Sequence, residues 1–249
     1  MDPAFVALLG LAAFAAGALN AVAGGGSFLT FPALVLTGVP PLRANATSAA
    51  ALWPASIASA LAYRRDLTHS RRELVLFGIV SLLGGLVGAL LLLLTPEERF
   101  GQLVPWLLLV ATFVFALGPT MTKQLRARQM RAPLWMIVVV QLAIAIYGGY
   151  FGGGMGIMML AAFSALGMED IHSMNGLKAI LGTALNGIAI VAFVVAGVVV
   201  WQVAFLMSVA GVAGGWFGAR GSRRVEARYL RAFVVVVGAA LTAYFFLRG

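Results

Sequence analysis

The sequence predicts an all-α integral membrane protein made of two inverted-topology repeats, each a glycine-broken helical hairpin followed by three transmembrane helices. Three observations predict it. Of 249 residues, 62% are hydrophobic and only 10% charged, against roughly 25% charged in a soluble domain. Apolar runs of membrane-crossing length alternate with short charged connections. The basic residues gather in three of those connections, which sets an orientation. A mean hydropathy of +1.01 is too high for one soluble core, and no polar stretch is long enough for a second domain. Residues 1–249 read as a single transmembrane domain. Repeat one is 1–118, repeat two is 133–249, and 119–132 is a cytoplasmic linker.

The candidate spans are 4–23, 28–38, 44–62, 74–94, 101–118, 133–151, 155–167, 175–197, 202–219 and 231–247. The first could be mistaken for a signal peptide, because Ala21-Val22-Ala23 resembles a cleavage site. The start MDPAF has no basic residue and carries Asp2, so the segment reads as a retained helix. Segments 28–38 and 155–167 are too short to cross ~30 Å of hydrocarbon; as helices they span about 17–20 Å. Each directly follows a glycine triplet, Gly24-Gly25-Gly26 or Gly152-Gly153-Gly154.

The loops holding Arg64, Arg65, Arg71 and Arg72, then Lys123, Arg126, Arg128 and Arg131, then Arg220, Arg223, Arg224, Arg228 and Arg231 are assigned to the cytoplasm. Trp106, Trp135, Trp201 and Trp216 fall near span ends, as interfacial rings should, whereas Trp53 sits mid-span beside Pro54 at a kink. With this orientation span 44–62 runs inward, so residues 4–38 begin and end outside. Residues 133–167 begin and end inside. The two glycine-centred segments are hairpins entering from opposite faces, a common plan for secondary transporters. Asn45 and Asn175 open the span after each hairpin, and the short segments end at Gly38 and Gly167.

Three consecutive glycines cost about 3 kcal/mol in a helix interior, enough to favour a break. Broken backbone is tolerated in lipid only where protein or water satisfies it. The breaks create new helix N-termini near Ser27 and near Met155, each with unpaired N–H groups and a partial positive charge. Two such termini converging at the midplane would hold an anion. The competing reading is that the glycines are close helix–helix contacts.

Polar residues could complete such a site. Asn175, Lys178, Gly182 and Asn186 share one face of span 175–197, with Thr183 alongside. Asn45, Ser48, Ser56 and Ser59 share a face of span 44–62, with Thr47 alongside. Such stripes point away from lipid; they serve either substrate or interhelical hydrogen bonds. Lys178 is the one basic residue inside a span, and either draws substrate or snorkels to the headgroups. The acids Asp2, Asp66, Glu73, Glu97, Glu98, Glu169, Asp170 and Glu226 all lie in loops or at span ends. That disfavours proton relays and carboxylate cation sites. With no cysteine, His69 and His172 in connections, and no deep acid, neither a metal site, a cofactor nor an enzyme's nucleophile–base pair is expected. The net charge of +9 sits in topology-setting loops, so nucleic acid is not an expected partner.

The stretch NAVAGGGSFLTFPALVLTGVPPLRANATSAAALWPASIASALAYRR, residues 20–65, resembles the sulfite exporter TauE/SafE family of DUF81-type permeases. GGYFGGGMGIMML at 148–160 and MNGLKAILGTALNG at 174–187 look like that family's second repeat. The resemblance implies an anion carrier with duplicated halves in the bacterial inner membrane, moving sulfite or a small organosulfonate. On that reading the substrate-binding residues are Gly24, Gly25, Gly26, Ser27, Asn45, Thr47, Ser48, Gly152, Gly153, Gly154, Met155, Asn175, Lys178 and Asn186. Leu177-Lys178 stands where the first half has Thr47-Ser48, so the halves need not contribute equally. The expected partners are the anion, the bilayer and, as a candidate, a second copy of the chain. An anion channel of the same architecture and a non-transporting scaffold are the alternative functions.

Overall fold

A computed structural model describes residues 2–22, 25–63, 71–127, 132–168, 170–221 and 227–248. Gly24, the acids Asp66, Glu169 and Glu226, His69, and the arginines Arg64, Arg65, Arg128, Arg131, Arg223 and Arg224 lie outside the described residues. The described residues form ten α-helices: α1 (Pro3–Val22), α2 (Ser27–Leu36), α3 (Pro41–Tyr63), α4 (Arg71–Leu94), α5 (Glu97–Ala127), α6 (Leu134–Tyr150), α7 (Met155–Ala165), α8 (Ile171–Val195), α9 (Trp201–Gly221) and α10 (Ala227–Arg248). Among them α1, α4, α5 and α8 are long and apolar enough to cross a membrane. The shorter apolar helices include both halves of the second hairpin. Helix α3 falls short on hydropathy because Arg43, Asn45, Thr47, Ser48, Ser56 and Ser59 line it; it is largely enclosed by the other helices instead.

Helix boundaries depart from the apolar runs in three places. α3 begins at Pro41, whose fixed φ and missing N–H suit the first helical turn. α8 begins at Ile171. Asn45 and Asn175 are therefore each the fifth residue of a helix rather than its opening. α5 continues to Ala127, through most of the segment expected to be a linker, because Met121 to Ala127 contains no glycine or proline to stop it. At 31 residues it is about 46 Å long, well beyond the hydrocarbon core.

Packing follows a pattern that is preserved when α1–α5 are exchanged with α6–α10. α1 packs along α9, and α6 packs along α4; α3 lies against both α8 and α9, and α8 against both α3 and α4; α5 pairs with α10. Small residues permit the closest of these approaches. A Cβ on Gly17 would overlap the backbone of Gly211 in α9, and a Cβ on Gly149 would overlap the backbone of Gly85 in α4. Two apolar clusters result. One joins α1, α2, α3, α5 and α9 and takes in residues of α4, α7, α8 and α10, with Phe28, Phe31 and Phe115 inside it. The other joins α4, α6, α7 and α8 around Phe77, Phe163 and Leu181. Trp106, Trp135, Trp201 and Trp216 are each more than half exposed, where membrane interfaces favour them.

Candidate functional site: two broken helices on one turn of α5

The first break separates α1 from α2. Gly25 adopts φ +89°, a left-handed conformation that favours glycine. The Gly26 N–H is capped by Asn20, whose Oδ1 accepts it at 2.8 Å. Inside α2 the Thr30 hydroxyl shares a 2.6 Å hydrogen bond with Ser48 of α3 and reaches back to the Gly26 carbonyl at 3.3 Å. Most polar groups around this break thus satisfy one another. Ser27 is half-buried and its N–H has no partner among the described residues.

The second break separates α6 from α7. Gly152 and Gly154 have φ +82° and +77°. The Tyr147 hydroxyl donates to the Gly153 carbonyl at 2.8 Å, tying the loop to the helix before it. Asn45 of α3 donates through Nδ2 to the Tyr150 carbonyl at 2.9 Å, satisfying an end of α6 from the other half of the chain. Beyond the break, the N–H groups of Gly153, Gly154 and Gly156 have no partner among the described residues. The stem of Lys178 in α8 lies against this helix start: a Cβ on Gly156 would sit 3.2 Å from Lys178 Cδ. Its Nζ donates to Asn175 Oδ1 at 2.8 Å, and among the described residues no carboxylate pairs with it. Met155 lies between Gly148 and Gly182.

The two breaks meet on one turn of α5. A Cβ on Gly25 would strike the Phe115 ring, and one on Gly153 or Gly154 would touch Ala111. Phe28 of α2 packs edge-on to Phe115 at 5.4 Å, and Phe31 edge-on to Phe151 of the second break at 5.6 Å. What lies between the breaks is aromatic. Three of the unpaired backbone donors, on Gly153, Gly154 and Gly156, gather at the start of α7, against the one on Ser27 at the first break.

Not every residue expected at the site is near it. Thr47 is fully buried, and its Oγ1 accepts the Val200 N–H at 3.0 Å, anchoring the start of α9. Ser48 is held by Thr30. Asn186 is half-buried on α8, and its side chain has no hydrogen bond among the described residues. Tyr147 and Asn20 were not anticipated from the sequence, because each acts on a backbone group brought near only by the broken chain. Trp53 proves to be a cross-half contact: its Nε1 donates to the Thr183 carbonyl at 3.0 Å, and the Thr183 hydroxyl returns a bond to the Ser56 carbonyl at 3.1 Å.

The chain is 28% identical over 236 residues to a probable membrane transporter protein, ORF9, of Sinorhizobium sp, covering 95% of this chain and 90% of that one. It is 27% identical over 239 residues to a probable membrane transporter protein of Haemophilus influenzae, covering 96% and 93%. It is 28% identical over 247 residues to the probable membrane transporter protein YfcA of Escherichia coli K12, covering 98% and 90%. No solved structure matches. The family model described as sulfite exporter TauE/SafE matches residues 9–245, so the chain, a multi-pass membrane protein of transporter type, belongs to the TauE/SafE family.

Proposed function

We propose that the protein is a secondary transporter that exports sulfite, or a small organosulfonate, across the bacterial inner membrane, and that the anion binds at the start of α7. One observation carries the reading: Lys178, a cation with no carboxylate partner among the described residues, lies against the first turn of α7, where the N–H groups of Gly153, Gly154 and Gly156 have no partner among the described residues. A positive side chain beside a positive helix end repels it, and an anion placed between them relieves both. The free N–H groups of Gly153, Gly154 and Gly156 line this cradle, and Gly152 and Met155 close its turn through the Met155 N–H to Gly152 carbonyl bond; Asn175 orients the ammonium. Asn45 and Tyr147 hold the loop open. Gly25, Gly26 and Ser27 form the opposing break, which is closed by Asn20, Thr30 and Ser48 and braces the site through Phe28 and Phe115.

The topology fits export. With the N-terminus outside and the basic loops in the cytoplasm, the exchange-symmetric packing reads as an inverted repeat with its hairpins entering from opposite faces. An inner-negative potential pushes an anion outward by ~2.3 kcal/mol per charge per 100 mV. Export then needs no coupling ion, in keeping with acids confined to loops and helix ends. The family description names sulfite. The test is flux from proteoliposomes loaded with sulfite, thiosulfate or a simple sulfonate. Saturable efflux of at least one above empty vesicles is expected; efflux equal to empty vesicles for all of them rejects the proposal.

A further inference from the structure

We infer that Tyr147 is a positioning residue that sets the selectivity of the anion site at the start of α7. Its hydroxyl occupies the one carbonyl of the second glycine triplet that the turn itself leaves free. The triplet then presents donors alone, and the site takes oxyanions that carry no proton, such as sulfonates, in preference to proton-bearing ones of equal charge, such as singly ionised phosphonates. The inference rests on the anion-binding reading above and names the ligand class of that same site.

Tyr147 grips the turn with both its main chain and its side chain. Its carbonyl accepts the Phe151 N–H at 2.9 Å and the Gly152 N–H at 3.3 Å. Its hydroxyl donates to the Gly153 carbonyl at 2.8 Å. The Gly152 carbonyl accepts from the Met155 N–H at 3.5 Å, and the Gly154 carbonyl from the N–H groups of Ile157 at 3.0 Å and Met158 at 3.3 Å. Every carbonyl of the triplet is therefore spent, while the N–H groups of Gly153 and Gly154 have no partner among the described residues. A trans peptide carries its C=O and its N–H on opposite edges. With the Gly153 carbonyl held by Tyr147, the Gly154 N–H is fixed on the far edge, and the tyrosine oxygen stays behind the carbonyl. Lys178 adds donors of its own, since its ammonium has three and Asn175 Oδ1 takes one. The first break has the opposite polarity. There too a side chain six residues back reaches the triplet, but it is Asn20, whose oxygen accepts the Gly26 N–H at 2.8 Å. Asn20 consumes a donor, whereas Tyr147 consumes an acceptor. An oxyanion without a proton offers only acceptors, which the second triplet can meet. A ligand O–H would face N–H groups and find no carbonyl of the triplet free, and a polar group left unmade lowers affinity by about fivefold or more.

The test measures binding to the full chain in lipid nanodiscs for two pairs of anions matched in charge: methanesulfonate against singly ionised methylphosphonate, and sulfate against hydrogen phosphate. The member without a proton should bind tighter by at least about fivefold. Tyr147→Phe removes one hydroxyl and frees the Gly153 carbonyl, which gives a ligand proton its acceptor. The ratio within each pair should then fall several-fold. A role in stability alone would weaken both members alike and leave the ratio where it was. Should the variant aggregate, the parent ratios decide. Equal affinities within a pair in the parent would overturn the inference. So would an unchanged ratio in monodisperse Tyr147→Phe, or binding of sulfite with none of the four test anions bound; the transport reading survives all three results. Binding of neither sulfite nor any test anion would reject that reading and this inference together.

Discussion

Lys178 and Ser48 stand at matching places in α8 and α3, each three residues after the asparagine that is the fifth residue of its helix. One is a cation against the start of α7; the other is a hydroxyl locked to Thr30. If the anion sits beside Lys178, Lys178→Ala should weaken sulfite binding at least several-fold in low salt. The loss should shrink at high ionic strength, where the Debye length falls to about 3 Å at 1 M. Titration of parent and variant at two salt concentrations decides it, and superimposable curves assign Lys178 to another role. Asn45 gives a second prediction. Asn45→Leu removes the donor to the Tyr150 carbonyl and leaves a part-buried acceptor unmade, at a cost of about 1–3 kcal/mol. Thermal unfolding should show the variant less stable than the parent; an equal melting point would mean that the carbonyl finds another partner. Both asparagines were legible as polar residues in apolar spans. Their different uses were not, since Asn45 reaches across to the other half of the chain and Asn175 bonds within its own helix.

At the scale of the helix, glycine has two uses here, and only neighbours distinguish them from glycines with neither. Gly154 supplies a left-handed turn before α7 with φ +77°. Gly149 supplies close approach to α4. Gly78 does neither: it lies within α4, and nothing stands within 4 Å of where its Cβ would be. Gly154→Ala should destabilise by about 1–2 kcal/mol, because the left-handed conformation brings Cβ against the following carbonyl. Gly78→Ala should stabilise by up to about 1 kcal/mol through helix propensity alone. Unfolding of the pair in one detergent tests both signs; two variants shifted the same way would contradict this assignment. The triplets announced their breaks in sequence because three poor helix formers in a row compete with a single hydrogen-bond ladder. The closing turns were legible for the same reason. Gly38 and Gly167 each take φ near +90° after a short helix, and the next residue's N–H bonds back five residues, Val39 to Leu34 and Met168 to Phe163. Helix starts at Pro41 and Ile171 were hidden, because hydropathy reports contact with lipid and a helix can begin in polar sequence.

At the scale of the whole molecule, charge and composition told more than local pattern. The apolar content calls for a bilayer, and the arginine-rich connections assign each span a direction that side-specific labelling can test. The side-to-side pairing of α1 with α9 and of α6 with α4 could not be read, because lipid-facing and helix-facing apolar residues look alike in sequence; glycines such as Gly17, Gly88, Gly149 and Gly214 lie on the buried faces, but composition does not separate them from the rest. Opposed entry of the two hairpins is the claim on which an inverted repeat depends, and the chain is suited to testing it because it contains no cysteine. Pro40→Cys places a thiol on the exposed turn after α2, and Met168→Cys places one on the half-buried turn after α7. If the hairpins enter from opposite faces, a membrane-impermeant maleimide added outside intact cells should label position 40 and spare position 168. Inside-out vesicles should reverse the result, with Lys123→Cys near the end of α5 labelling alongside position 168. Labelling of 40 and 168 from the same side would make the two halves parallel. The helix starts after the breaks would then point the same way, and exchange of the halves could no longer turn one face of the protein into the other.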